Sequence, residues 1–224
     1  HYVVIMRGIE SMLADYDIEL IQFTLSSSSS FTKLANYLNN YRIDGIVCIE
    51  FFQPDILPTL TDLGYPVVFL DLPLLEQDLR GSYDIILPEN ADAVKYLCLD
   101  LIHNKDCKTF GFVGDHRHCR SFYERFLGMR EALFLSGLDT DLKYSILHKD
   151  TFPYGNAKEL RGALQELPSL PDCFIAANDT IALSLLEALR LLRKKVPDDV
   201  KVVGFDNVAE SKMSNPPLTT FNVD

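Results

Sequence analysis

Strand-like and helix-like segments alternate along the whole chain. The strand-like segments are short, apolar runs bounded by turn residues. They cover residues 18–23, 45–51, 66–70, 84–87, 109–113, 144–147, 173–177 and 200–205. Apolar residues recur between them at helical spacing, namely Ile5, Ile9, Met12 and Leu13, then Phe122, Phe126, Met129 and Leu133, then Ile181, Leu185, Leu189 and Leu192. This alternation predicts an α/β fold with mainly parallel sheets flanked by helices.

The length of 224 residues is enough for two lobes of ordinary size. Breaks in regular structure at Leu72-Pro73, Arg80-Gly81 and Leu87-Pro88 indicate a boundary between two lobes. We therefore predict a first subdomain over residues 1–89, a second over 90–216, and a last segment, 217–224, that crosses back toward the first. Because the chain begins at a predicted helix and ends directly after a predicted strand, we expect it to be part of a longer protein.

Five consecutive serines at residues 26–30 form the only low-complexity segment of the sequence. One interpretation is a polar turn whose last serine caps a helix over residues 31–41. The other interpretation is a loop that covers a ligand site.

Charge and cysteine usage limit the classes of partner. The net charge is −11 with a pI near 4.8, so these residues should repel a phosphate backbone and not bind DNA themselves. No apolar run reaches the roughly 18 residues of a membrane span, and the N-terminus lacks the pattern of a signal peptide. Five cysteines, an odd number without a CxxC pair, favour a reducing cytoplasm.

The last predicted strand carries the most specific candidate for a ligand-binding group. Residues Val202-Val203-Gly204-Phe205-Asp206 form a buried strand that delivers a carboxylate at its carboxyl end. In open α/β sheets this end is where ligands bind. Ten residues after Asn207, which follows this strand, Pro217-Leu218-Thr219-Thr220-Phe221 forms a proline-broken crossing followed by a short β-prone segment.

Seven further motifs follow one another in order. They are Arg7-Gly8-Ile9-Glu10, Tyr41-Arg42-Ile43-Asp44-Gly45-Ile46-Val47, Pro66-Val67-Val68-Phe69-Leu70-Asp71, Phe110-Gly111-Phe112-Val113-Gly114, Arg125-Phe126-Leu127-Gly128, Asp150-Thr151-Phe152-Pro153-Tyr154-Gly155 and Ala177-Asn178-Asp179-Thr180-Ile181-Ala182. Together with the strand ending at Asp206, they resemble the sensor domain of lactose-repressor-type (LacI/GalR) transcription regulators. The family's usual Asp-Asn at the start of the second lobe stands here as Glu89-Asn90.

The resemblance implies a two-lobed, periplasmic-binding-protein-like fold that holds a small effector, often a sugar or a nucleobase, between its lobes. It implies closure of the lobes on the effector, a homodimer, and operator DNA bound by a helix-turn-helix domain that is absent from this sequence and would precede residue 1. The effector-binding positions that it carries over are Asp71, Ser121, Arg125, Phe152, Asn178 and Asp206.

These side chains suit a saccharide, and we expect a mono- or disaccharide as effector. Carboxylate, guanidinium and amide groups can pair with vicinal hydroxyls, and an aromatic ring such as Phe152 can cover the apolar face of a pyranose. Each position also has a structural interpretation. The two aspartates can cap backbone, Arg125 can extend to solvent, Asn178 can cap the helix 180–193, and Phe152 can belong to the core.

Two other classes of function remain open from the sequence. A sugar-binding protein of an ABC-type transporter shares the two-lobed architecture. An enzyme acting on sugars or nucleotides is less well supported, because Gly111-Phe112-Val113-Gly114-Asp115 lacks the third glycine of a dinucleotide-binding fingerprint and no hydrolase or P-loop motif occurs. The cluster His116-Arg117-His118-Cys119 with Cys107 lacks the usual ligand spacing of zinc sites. We therefore expect no catalysis, no metal and no cofactor.

Overall fold

The computed structural model describes residues 2–16, 18–25, 28–75 and 79–223. The chain divides into two compact units. The first comprises His1–Leu70 and Glu76–Ile86, and the second comprises Asp71–Leu75 and Leu87–Asp224. The chain passes from the first unit to the second for the last time after Ile86, and the subdomain bounds 1–89 and 90–216 stay a prediction. Asp71, which directly follows a strand of the first unit, groups with the second.

In its described residues, the first unit contains a three-stranded parallel sheet with three helices. Its elements are α1 (Tyr2–Leu13), α2 (Ser28–Asn40), β1 (Ile46–Ile49), α3 (Leu57–Thr61), β2 (Val67–Leu70) and β3 (Tyr83–Ile86). The strand order is β1-β2-β3, and Val67 of β2 pairs with Ile46 on one side and Tyr83 on the other. Val67 and Phe69 point into the core of this unit together with the buried Leu57 and Leu60 of α3.

The second unit contains a four-stranded parallel sheet with five helices. Its elements are α4 (Ala91–Lys105), β4 (Phe110–Val113), α5 (Arg120–Leu135), α6 (Ala157–Glu166), β5 (Cys173–Ala176), α7 (Asp179–Leu191), β6 (Lys201–Asp206), α8 (Ala209–Met213) and β7 (Thr219–Asn222). The strand order is β4-β5-β6-β7, and every pairing is parallel. The predicted α/β class with parallel sheets flanked by helices is confirmed.

Burial on both faces explains why β4 and β5 are continuous apolar runs. Every residue of these two strands is buried, and Phe112 and Phe174 have no exposed surface. Helix α4 packs against α5, and α6 packs against α7. Because all four strands are parallel, their carboxyl ends meet at one edge of the sheet, where a ligand can reach the chain.

Two of the predicted strands are wrong. Residues 18–23 form no strand, and Ile18 and Leu20 are 56% and 41% exposed. Apolar character alone does not make a strand, because a strand also needs a neighbouring strand to pair with. Among the described residues, no strand pairs with residues 18–23. Residues 144–147 contribute only a single bridge between Ile146 and Val113.

Two further segments differ from the predictions. Helix α2 begins at Ser28, so the last serine of the run 26–30 lies within the helix and not before it; residues 26 and 27 lie outside the described residues. The segment 217–224 is predicted to cross back toward the first subdomain, but Thr219–Asn222 form β7, which pairs with β6 of the second sheet. Residue 224 also lies outside the described residues.

Candidate functional site

Arg125 is buried at the carboxyl edge of the second sheet. It projects from α5, and the residue is only 4% exposed. Its Nε donates to Oδ1 of Asn90 at 2.9 Å, and its Nη1 donates to the backbone oxygen of Ala177 at 2.6 Å. The interpretation that this side chain extends to solvent is therefore wrong.

Asp206 lies opposite the Arg125 guanidinium at the end of β6. The distance between Nη2 of Arg125 and Oδ1 of Asp206 is 3.6 Å, and the guanidinium carbon lies 3.6 Å from the ring centre of Phe205. Burial lowers the pKa of Arg125, and the carboxylate of Asp206 opposes this effect by favouring the charged form. An arginine keeps its charge even when its pKa is lowered, so the site holds a desolvated cation beside a carboxylate.

Asp71 and Ser121 complete the site from the side of α5. Oδ1 of Asp71 accepts hydrogen bonds from the backbone amides of Leu72 at 2.8 Å and Ser121 at 3.3 Å. Ser121, in the first turn of α5, accepts a hydrogen bond through Oγ from Nδ2 of Asn90 at 3.3 Å. Asp71 thus caps backbone amides, which is the structural role that the sequence also allows. Its carboxylate also acts on the charge of Arg125.

We refer to Asp71, Asn90, Ser121, Arg125 and Asp206 as the arginine cluster. Its members come from four places in the chain: the segment after β2, the start of α4, the start of α5 and the end of β6. It presents carboxylate acceptors, an amide and a planar guanidinium in one place. This combination suits a small ligand with several hydroxyl groups, because neighbouring hydroxyls can donate to a carboxylate and accept from a guanidinium.

Asn178 is the N-cap of α7. Its Oδ1 accepts a hydrogen bond from the backbone amide of Ile181 at 3.0 Å, which confirms the capping interpretation. The preceding carbonyl, that of Ala177, is the acceptor for Arg125. The side chain of Asn178 therefore caps α7, while the backbone carbonyl of Ala177 accepts a hydrogen bond from Arg125.

Replacing Asn178 with alanine should lower the free energy of unfolding by about 1 kcal/mol, the usual cost of losing an N-cap. Asn178→Asp should keep that stability, because it retains an oxygen acceptor for the amide of Ile181. Urea denaturation measures both variants. A matched control is Asn156→Ala, which removes the N-cap of α6, where the side chain accepts from the amide of Lys158 at 3.0 Å. If Asn178→Ala is as stable as the unmodified protein, the capping role is contradicted.

Phe152 lies in the loop before α6, among other aromatic rings. It stacks on His148 with ring centres 4.6 Å apart and meets Tyr154 edge-on at 4.9 Å. This loop is joined to the end of β4 because the amide of Asp150 donates to Oδ2 of Asp115 at 2.9 Å. Phe152 is half-buried and packs against the core, so its ring lies in an aromatic group with His148 and Tyr154.

Sequence reasoning did not select two residues that the structure places in or beside the cluster. Asn90 is 1% exposed and links Ser121, Glu124 and Arg125 by hydrogen bonds. Asp179 has no exposed surface and lies just beyond the end of β5. In the sequence, the Glu89-Asn90 pair points to Asn90 as a site residue. Asp179 is indicated by its place beside Asn178 in the motif Ala177-Asn178-Asp179-Thr180-Ile181-Ala182.

Among residues 2–16, 18–25, 28–75 and 79–223, no group of three or more His, Cys, Asp or Glu side chains is placed to hold a metal ion. His118 instead lies with its Nδ1 3.3 Å from Oδ2 of Asp150. The helices in this described part of the chain are too short or too polar to cross a membrane.

Comparison with known proteins agrees with this architecture. Residues 99–224 match the family of periplasmic binding protein-like domains. The HTH-type transcriptional regulator CelR of Thermobifida fusca is 28% identical over 222 residues, which cover 99% of this chain and 64% of the relative. The HTH-type transcriptional regulator GalR of Lacticaseibacillus casei is 26% identical over 228 residues, covering 98% of this chain and 64% of the relative.

A solved structure of the transcriptional regulator CelR in complex with cellobiose is also similar, with a TM-score of 0.85 at 26% identity over 99% of this chain and 67% of that one. The chain belongs to the family of periplasmic binding protein-like domains, in the form found in LacI/GalR-type transcriptional regulators. Both curated relatives are named as HTH-type transcriptional regulators. The chain spans about 64% of the length of the two curated relatives.

Proposed function

We propose that the chain is the effector-sensing part of a LacI/GalR-type transcriptional regulator and that it binds a small saccharide at the arginine cluster. The observation that carries this proposal is the buried guanidinium of Arg125, held by Asn90 and Ala177 and lying 3.6 Å from the Asp206 carboxylate. Placing a charged group in a nearly dry site costs free energy, and ligand recognition gives a reason for that cost.

A saccharide fits the cluster better than a purely apolar ligand does. Its hydroxyls can act as donors to Asp206 and as acceptors from Arg125 at the same time. The solved relative that carries cellobiose supports a disaccharide as the first ligand to test. The six effector-binding positions Asp71, Ser121, Arg125, Phe152, Asn178 and Asp206 belong to this proposal, with Asn90 added from the structure.

Operator DNA would be bound through a helix-turn-helix domain outside these 224 residues. The net charge of −11 supports this division of labour, since an acidic surface repels the DNA backbone. We also propose a homodimer, because regulators that read two half-sites share the two-fold symmetry of their operators. The effector would then change operator affinity by stabilising one arrangement of the lobes over another.

The absence of catalysis and a cytoplasmic location are parts of the same proposal. The regulatory relatives support the first. All five cysteines are free and buried, which supports a reducing compartment for the second.

A thermal unfolding screen tests the proposal. The protein is heated alone and with cellobiose, glucose, galactose, ribose or a purine base, and the midpoint is measured. A ligand present at 100 times its Kd stabilises by about 2.7 kcal/mol, which for a chain of this length raises Tm by about 5–10 °C. We expect one sugar to produce such a shift. A folded protein whose Tm responds to none of the sugars would contradict the saccharide proposal, and a response to a purine base alone would replace it.

A further inference from the structure

The turn that follows β6 holds two residues in a backbone conformation that favours glycine. Asp206 has φ 110° and Asn207 has φ 49°. A non-glycine residue in this conformation persists only where its surroundings impose it. Because Asp206 faces Arg125, whatever imposes this turn also decides where the Asp206 carboxylate points.

The buried carboxylate of Asp179 binds the end of this turn. Its Oδ2 accepts a hydrogen bond from the backbone amide of Val208 at 3.0 Å. Val208 follows Asn207, so the Asp179 side chain fixes the chain immediately after the two residues with positive φ.

Thr220 of β7 extends the same network to the backbone amide of Asn207. Its Oγ1 donates to Oδ1 of Asp179 at 2.6 Å and accepts from the backbone amide of Asn207 at 3.2 Å. Asp179 therefore holds Asn207 through Thr220 and holds Val208 directly.

The strand register leaves room for the Asp179 carboxylate beside β6. The ladder between β5 and β6 ends at the pair Ile175 and Val203, so β6 continues beyond its neighbour. Asp179, in the first turn of α7, lies beside this continuation of β6. A Cβ on Gly204 would overlap Oδ1 of Asp179, so the glycine before Phe205 and Asp206 is what lets the carboxylate come this close.

We propose that Asp179 is a positioning residue for effector binding, which orients Asp206 toward Arg125 by fixing the turn at Asn207 and Val208. This inference rests on the proposed function only for its ligand, because the positioning itself is a property of the protein without effector. Asp179 does not contact the effector in this scheme, and its influence on affinity passes through Asp206.

Asp179→Asn tests the inference, with Asp172→Asn as a matched control. Asp172 is a carboxylate at the opposite edge of the same sheet, and its Oδ2 accepts from the amides of Lys108 and Thr109, both at 2.8 Å. Crystal structures of the two variants without ligand should show Asp206 displaced from Arg125 by more than about 1 Å in Asp179→Asn alone. An unchanged Asp206 in the Asp179→Asn crystal would overturn the inference, whatever ligand the protein binds.

Calorimetric titration with cellobiose gives the second readout, through a double-mutant cycle. Asp179→Asn should raise the Kd at least about tenfold in the unmodified protein and by less than about twofold when Asp206→Asn is already present. Equal effects in both backgrounds would overturn the inference. If cellobiose does not bind the unmodified protein, that result counts against the proposed ligand, and the crystal structures still decide the positioning. Should Asp179→Asn fail to fold, Thr220→Val removes only the hydroxyl that joins Asp179 to Asn207, and the same displacement of Asp206 is expected.

Discussion

We expect the Arg125→Ala protein to bind its effector about 10- to 150-fold more weakly than the unmodified protein. This range corresponds to about 1.5–3 kcal/mol, the usual value of a hydrogen bond to a charged group. The physical reason is that the guanidinium is nearly dry, at 4% exposure, so its hydrogen bonds to a ligand would compete with little water. Calorimetric titration with the sugar that raises Tm measures the effect.

Stability and affinity have to be separated for this variant. Arg125→Ala also removes the donor to Asn90 and to the Ala177 carbonyl, and we expect the free energy of unfolding to fall as well. Arg125→Lys keeps the charge but loses the planar fork, so it should bind weakly while folding better. Arg161→Ala, at an exposed position of α6, should change neither property. A folded Arg125→Ala protein with unchanged affinity would contradict the assignment of Arg125.

The second large effect concerns Gly128, one turn after Arg125 in α5. A Cβ on this residue would overlap the backbone oxygen of Ala91, the first residue of α4. We expect Gly128→Ala to lower the free energy of unfolding by about 1–3 kcal/mol, the usual cost of overpacking a close contact. Because Ala91 adjoins Asn90, the shift of α4 that makes room for the new methyl group should also weaken effector binding.

Gly162→Ala provides a control for which we expect a change of opposite sign in the free energy of unfolding. Gly162 also lies within a helix, α6, but a Cβ there would meet no atom within 4 Å. Alanine is favoured over glycine in a helix by about 1 kcal/mol, so Gly162→Ala should stabilise the protein. Urea denaturation of the two variants measures both signs. If Gly128→Ala leaves the free energy of unfolding unchanged or raises it, the close contact between Gly128 of α5 and Ala91 of α4 does not contribute to stability, and the prediction is contradicted.

The sequence predicts the fold well where patterns are local and continuous. The buried strands β4 and β5 and the helices α5 and α7 follow directly from apolar runs and from helical spacing, since both are set by burial along one element. Residues 18–23 show the limit of this reasoning. Their apolar pattern is that of a strand, but a strand also needs a partner, and the local sequence does not specify partners.

The site is predictable to a smaller extent. The resemblance to a known family selected Asp71, Ser121, Arg125 and Asp206, which the structure brings together around one guanidinium. Asn90 and Asp179 were missed because their roles depend on contacts between residues 35 and 29 positions apart in the chain. The ring of Phe152 packs with His148 and Tyr154, and its contact with an effector stays a prediction.

The most direct test of the central claim is a crystal structure of the protein grown with cellobiose, or with whichever sugar produces the largest rise in Tm. The proposal predicts sugar hydroxyls within hydrogen-bond distance, about 2.7–3.2 Å, of the Arg125 guanidinium and the Asp206 carboxylate. A sugar bound elsewhere on the chain, with the arginine cluster unoccupied, would contradict the claim that this cluster is the effector site.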